Sequence, residues 1–245
     1  MGPVAWPAVP SAVASLRARG LAALSGVAHG AWEVASHRLR ITADHPRARR
    51  FASMGDGSWI AFPPGDHLNT HAVSIGRDCG VSAHTSLLVG MPTERWTRTG
   101  EPVIRIGDRA VIGRGCWFVG RDRIVVEDDV TFAPHVYVTD HNHTYADPWL
   151  PVGQQILQSD PVRIGSGTWI GTNVVVLPGA HIGRNCAIAA GSVVRGHVPD
   201  HSVVAGVPAQ VVRRWTQAEG WQPPLSRPVP VVEGWPVGVP PGGPA

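Results

Sequence analysis

From residue 73 onward, aliphatic or aromatic side chains recur every six positions, and few folds tolerate that period. The clearest run is Ile164, Ile170, Val176, Ile182 and Ile188. Earlier runs carry Ile75 and Val81, then Ile106 and Ile112, then Val126, Phe132 and Val138. A period of six matches neither the helical period of 3.6 nor plain strand alternation ending in hairpins. It fits short strands joined by turns, each coil stacking on the last at roughly 4.8 Å, with the large apolar residue pointing inward. Gly165, Gly171, Gly183 and Ala189 follow four of the five inward residues directly, and the expectation is that glycine eases the backbone where it turns. Four positions after each inward residue comes a small or short-branched one: Thr168, Val174, Ala180, Cys186 and Ser192. These should also point inward. One coil cannot bury a core, so several must stack.

The same offset holds all three cysteines, Cys79, Cys116 and Cys186, which are therefore expected to fill the core. An odd number of widely spaced cysteines argues against a disulfide framework and for a reducing, cytoplasmic setting. The net charge of +3 and the lack of a basic stripe exclude a nucleic-acid binder of the usual kind. Arg47, Arg49 and Arg50 are too short a cluster to count. No run of about 18 apolar residues is present, so no membrane insertion is expected. Ser11 to Leu24 reads as a short helix, and a second helical patch runs from about His29 to Ile41, with Pro46 ending any helix there. Residues 51–72 read as loop. The segment from Gln217 is rich in proline and glycine and is expected to be a flexible tail or a strap. The domain reading is an N-terminal extension over 1–72, a coil domain over 73–214 and a tail over 215–245.

Three features of residues 73–214 resemble the hexapeptide-repeat acyltransferases. They are the repeat, the segment Val138 to His143 followed by a long loop, and the closing segment Val198 to Ala209. The sugar O-acetyltransferases, including the maltose, galactoside, capsule and exopolysaccharide enzymes, are the most similar branch. The resemblance implies a mainly β fold, a left-handed parallel β-helix. It further implies acetyl-CoA as co-substrate, no metal, a homotrimer with sites between subunits, and a small-molecule or saccharide acceptor.

Acyl transfer to an alcohol requires a base, because a hydroxyl is a poor nucleophile at neutral pH. The repeat stops at Asp140-His141-Asn142-His143 and resumes near Val162, and the resemblance assigns His141 as the base. Asp140 and His143 either orient that ring or bind the acceptor. Strand alternation argues that Asp140 does not reach the ring of His141. Asn142 is a candidate for the acceptor. Trp169 should point out of the coil, covered by ligand, loop or neighbouring subunit. His135 and His181 read as outward, solvated residues. For the coenzyme, small residues at Ala190, Gly191 and Ser192 would admit the pantetheine arm. Gly206, Pro208 and Ala209 form the family's closing turn, and Arg213 and Arg214 would meet the phosphates.

One departure concerns the acceptor. The galactoside and maltose enzymes carry an asparagine about two coils before the base, where this chain has Arg114, Gly115, Cys116 and Trp117. Other readings are an N-acetyltransferase on an amino sugar, a γ-carbonic-anhydrase-like zinc enzyme using His141, His143 and His135 or His181, and a non-catalytic scaffold.

Overall fold

The computed structural model describes residues 11–91 and 100–226. These fall into two compact units divided between Leu39 and Arg40. The first holds a single α-helix, Ser11–Arg38. The two helical patches expected from the sequence are thus one element. Gly20, Gly26 and Gly30 do not break it, since glycine inside a helix costs only about 1 kcal/mol and no proline intervenes before Pro46.

The second unit is a parallel β-helix. Three sheets run its length, with ten, six and seven strands, and successive strands of the chain step from sheet to sheet. Each face needs only two to four residues per coil, because the backbone bonds go to the coils above and below. Trp169 N–H donates to Cys186 O at 2.9 Å, for example, and Gly171 N–H to Ile188 O at 2.8 Å. The inward ladder is as the repeat requires: Ile164, Ile170, Val176, Ile182 and Ile188 are all buried. Thr168, Val174, Ala180, Cys186 and Ser192 are buried beside them. The three cysteines are free and buried. Burial pushes the Cys116 thiol up to about 11, so it remains an inert thiol in the core.

The glycines that follow the inward residues have a different cause from the one expected. Gly165, Gly171 and Gly183 do not have positive φ. An added Cβ at Gly171 would instead lie 2.6 Å from Ala190 N and 2.7 Å from Ile188 O in the next coil. Glycine is there because two backbones approach closely. The turn's left-handed residue comes two positions later, at Gly167, Asn173, Gly179, Asn185 and Gly191, with φ between +50° and +75°. Glycine and asparagine are the residues that adopt this conformation at least cost. Gly171→Ala should therefore cost about 1–3 kcal/mol by overpacking against rigid backbone. Urea denaturation measures this, and a wild-type midpoint would refute the close-approach account.

Two boundaries move. Residues 51–72 are not a loop: Ser53–Met54, Trp59–Ile60 and His67–Leu68 pair in parallel with the strands of the next coil. Pro63, Pro64 and Gly65 sit in a corner between strands, where no ladder bond is lost. The β-helix thus begins about twenty residues before position 73. At the other end the tail does not start at 215. Ala209–Thr216 folds back antiparallel on Ser202–Gly206 and is followed by Gly220–Gln222, which extends the ten-stranded sheet. The turn between them is made by Gly220 at φ +66° and by Glu219 N–H donating to Thr216 Oγ1. Residues 227–245, most of the expected tail, lie outside the described residues. Among the described residues no helix is long and apolar enough to cross a membrane.

Candidate active site

The interruption predicted after Thr139 is a hairpin. It leaves the β-helix at the corner between the six- and seven-stranded sheets. Its strands, His141–His143 and Leu157–Ser159, pair antiparallel, with His141 opposite Ser159 and Asn142 opposite Gln158. The tip is held by one side chain that the sequence did not single out. The Gln155 amide donates from Nε2 to Asp147 O and to Leu150 O, both at 2.9 Å, and its Oε1 accepts from Asp147 N–H at 3.2 Å. The Gln155 carbonyl also lies 3.3 Å from His143 Nδ1, which fixes that ring against the hairpin. Around this frame Tyr145, Trp149 and Ile156 are more than four-fifths exposed.

At the base of the hairpin sits Asp140, fully buried. Its carboxylate lies in a nest of three consecutive backbone N–H groups from the corner one coil below. Arg121 N–H donates to Oδ1 at 2.8 Å, Asp122 N–H to Oδ2 at 2.8 Å and Arg123 N–H to Oδ2 at 2.7 Å. Such a nest is a fitting place for a buried negative charge. The carboxylate also accepts from His141: Nδ1–H donates to Asp140 Oδ1 at 2.9 Å. This overturns the alternation argument, which separated the two side chains. Alternation holds only inside a strand, and Asp140 falls between the strands Tyr137–Thr139 and His141–His143, where the chain turns out of the coil.

The consequence is chemical. An ionised carboxylate only accepts hydrogen bonds, so Nδ1 carries the proton and the Nε2 lone pair is left to act as a base. His141 Nε2 makes no hydrogen bond among the described residues, and the side chain is 9% exposed. Asp140 is thus hydrogen-bonded to the His141 ring, and His143 is held separately by the hairpin. Among the described residues no three His, Cys, Asp or Glu side chains converge as a metal site would require.

The remaining candidates are dispersed. Trp169 points outward as expected and is 46% exposed, but it stands on the ten-stranded sheet between Thr131 and Ala187. Within one copy of the chain it is therefore on a different side from His141. His135 and His181 are exposed, and His135 is one of the left-handed turn residues. Asn142 lines a cleft of about 390 Å³ beside the hairpin.

Ala190 and Gly191 are exposed in the turn between the ten- and six-stranded sheets. Ser192 is not available to a ligand: its side chain is buried, and its Oγ accepts from Gly206 N–H at 3.2 Å. Pro208 and Ala209 line a second cleft of about 200 Å³ together with Arg195, His197 and Gln210. Arg213 and Arg214 lie farther along the strand Ala209–Thr216, opposite Val203 and Ser202, and do not line this cleft. The basic group at the cleft is Arg195, legible in retrospect as the arginine of the last full coil.

Comparison with known proteins places these features in context. The bacterial transferase hexapeptide (six repeats) model matches residues 161–196. The probable acetyltransferase Rv3034c of Mycobacterium tuberculosis is 38% identical over 197 residues, covering 69% of this chain and 65% of that protein. The putative lipopolysaccharide biosynthesis O-acetyl transferase WbbJ of Escherichia coli is 35% identical over 123 residues, covering 47% of this chain and 63% of that protein. The chain thus spans a little under two thirds of the length of these curated relatives. Among solved structures, the N-acyltransferase AntD from Bacillus cereus, crystallised with dTDP and coenzyme A, superposes with a TM-score of 0.60 at 18% identity. That match covers 73% of this chain and 92% of AntD. The shared fold is the left-handed parallel β-helix.

Proposed function

We propose that this chain, which belongs to the hexapeptide-repeat transferases, moves an acetyl group from acetyl-CoA to a hydroxyl of a sugar or saccharide-like acceptor. The observation that carries the reading is the Asp140–His141 pair at the root of the hairpin. A buried carboxylate fixes the tautomer and leaves Nε2 free to act as a general base.

The acceptor hydroxyl gives its proton to His141 Nε2 as its oxygen attacks the thioester carbonyl. The tetrahedral intermediate then collapses with cleavage of the C–S bond. The imidazolium returns its proton to the departing sulfur, so that free coenzyme A and the acetyl ester are the products. Asp140 faces the imidazolium while it exists and keeps the ring from rotating.

For the coenzyme, the cleft of Arg195, His197, Pro208 and Ala209 supplies a cation and a small-residue floor, which suits a phosphate-bearing end. Ala190 and Gly191 admit a narrow arm. Assembly as a homotrimer belongs to the same reading. It would cover the outward Trp169 and the exposed Trp149 and Ile156 of the hairpin, and would bring a second copy's face against His141.

The test is a panel of sugar and polysaccharide acceptors incubated with acetyl-CoA, with free thiol detected. Acceptor-dependent thiol release and an alkali-labile acetyl ester are expected. Acetylation restricted to amino sugars, on nitrogen, would replace the reading by N-acetyl transfer.

A further inference from the structure

The hairpin has two faces, and the second face carries a site of its own. His141 and His143 lie on one side of the ribbon. By strand alternation Asn142 lies on the other, and Gln158, its partner across the ladder, stands beside it. Thr144 and Asp160, one residue beyond each strand, join Asn142, Gln158 and His143 in lining the cleft of about 390 Å³ that closes against Pro178 in the next coil. A cleft of this size falls within the range that small-molecule ligands occupy. Tyr145, 82% exposed, stands at its rim.

The chemistry of the lining is selective. It offers two carboxamides, a hydroxyl, a carboxylate, a phenol ring and the His143 imidazole, and no arginine or lysine. Adjacent carboxamides and a carboxylate are donors and acceptors suited to vicinal hydroxyls, and an exposed aromatic ring suits the apolar face of a sugar. Asp160, with no arginine or lysine in the lining, disfavours an anionic ligand. Its backbone ties the cleft to the catalytic corner: Asp160 N–H donates to Asp140 O at 2.8 Å, and Gly179 N–H donates to Asp160 O at 3.0 Å.

Resting on the acetyltransferase reading above, we propose that this cleft is a saccharide subsite. It holds a neutral or amino sugar of the acceptor on the side of the hairpin away from the His141 imidazole, and it excludes uronic and phosphorylated sugars. The acceptor is then a chain of more than one sugar, gripped on one side of the ribbon and acetylated on the other.

The experiment uses the full chain and three tetrasaccharides: maltotetraose, a chitosan tetramer and tetragalacturonic acid. Binding is followed by saturation-transfer NMR titration without acetyl-CoA, and thiol release is measured in parallel. The wild type should bind the neutral and cationic tetramers and reject the anionic one. Gln158→Ala should weaken maltotetraose about fivefold to tenfold, the usual effect of losing one neutral hydrogen bond. Asp160→Asn should reduce chitosan binding and admit tetragalacturonate. Equal binding of the anionic tetramer by wild type, binding of none of the three, or unchanged binding by both variants would overturn the subsite. A loss confined to acetyl-CoA affinity would overturn it too, by placing the coenzyme's arm in the cleft. Sugar binding of the expected pattern with no thiol release from any acceptor would support the cleft while sinking the transferase reading.

Discussion

His141→Ala is expected to lower turnover about a hundredfold to ten-thousandfold, the usual cost of losing a general base, while acetyl-CoA affinity stays near wild type. The imidazole is held by Asp140 with Nε2 free, and in the proposed function it acts on the acceptor's proton rather than on the coenzyme. His143→Ala should cost less, since its ring is turned to the Gln155 carbonyl of the hairpin. If His141→Ala keeps more than about a tenth of wild-type activity, less than the loss of a base should cost, the assignment fails and His143 becomes the candidate.

Asp140→Ala is expected to damage both stability and rate. The carboxylate is the acceptor for the backbone N–H groups of Arg121, Asp122 and Arg123, in a position with no solvent access. Removing it strands buried donors at about 1–3 kcal/mol each. Thermal and urea unfolding should show a loss of several kcal/mol, with soluble protein recovered only at reduced temperature. Asp140→Asn should be milder, since its amide oxygen still accepts from the corner, but its NH₂ cannot hold His141 Nδ1–H. Its rate should therefore fall well beyond its loss of stability. An Asp140→Ala variant that melts like wild type would mean that the carboxylate does not hold this corner together.

The sequence made the interior of the β-helix legible because one physical demand repeats at a fixed interval. Each coil must bury a large residue at Ile164, Ile170 and Val176 and a small one at Thr168, Val174 and Ala180. The first coil was missed although Met54 and Ile60 stand six apart and pair with Ile75 and Val81, because the period breaks off at once, with Asp66 at the next position. The glycine at 171 was visible but its cause was not, since close approach of two backbones leaves the same residue as a turn does. The left-handed positions at Asn173 and Asn185 carried a signal in the alternating glycine and asparagine every six residues.

At the site, His141 was legible as a histidine at the break in the repeat, and its bond to Asp140 was not. That bond depends on the chain leaving its strand between Thr139 and His141, a change of direction that an alternation rule cannot anticipate. Gln155 was also silent, because its role is to bond the backbone of residues 147 and 150, which no side-chain pattern records. Ser192 was read two ways, as an inward residue of the repeat and as part of the coenzyme's floor, and its burial agrees with the first.

The central claim is that Asp140 and His141 act as one unit in proton transfer, and a double-mutant cycle on turnover tests it most directly. The rates of Asp140→Asn, His141→Ala and the double variant are compared with wild type at saturating acetyl-CoA, with folding of each verified by circular dichroism. Groups that act together are strongly non-additive. The double variant should therefore be no slower than His141→Ala alone. A double variant whose loss is the product of the two single losses would show that Asp140 and His141 act independently, and would contradict the account.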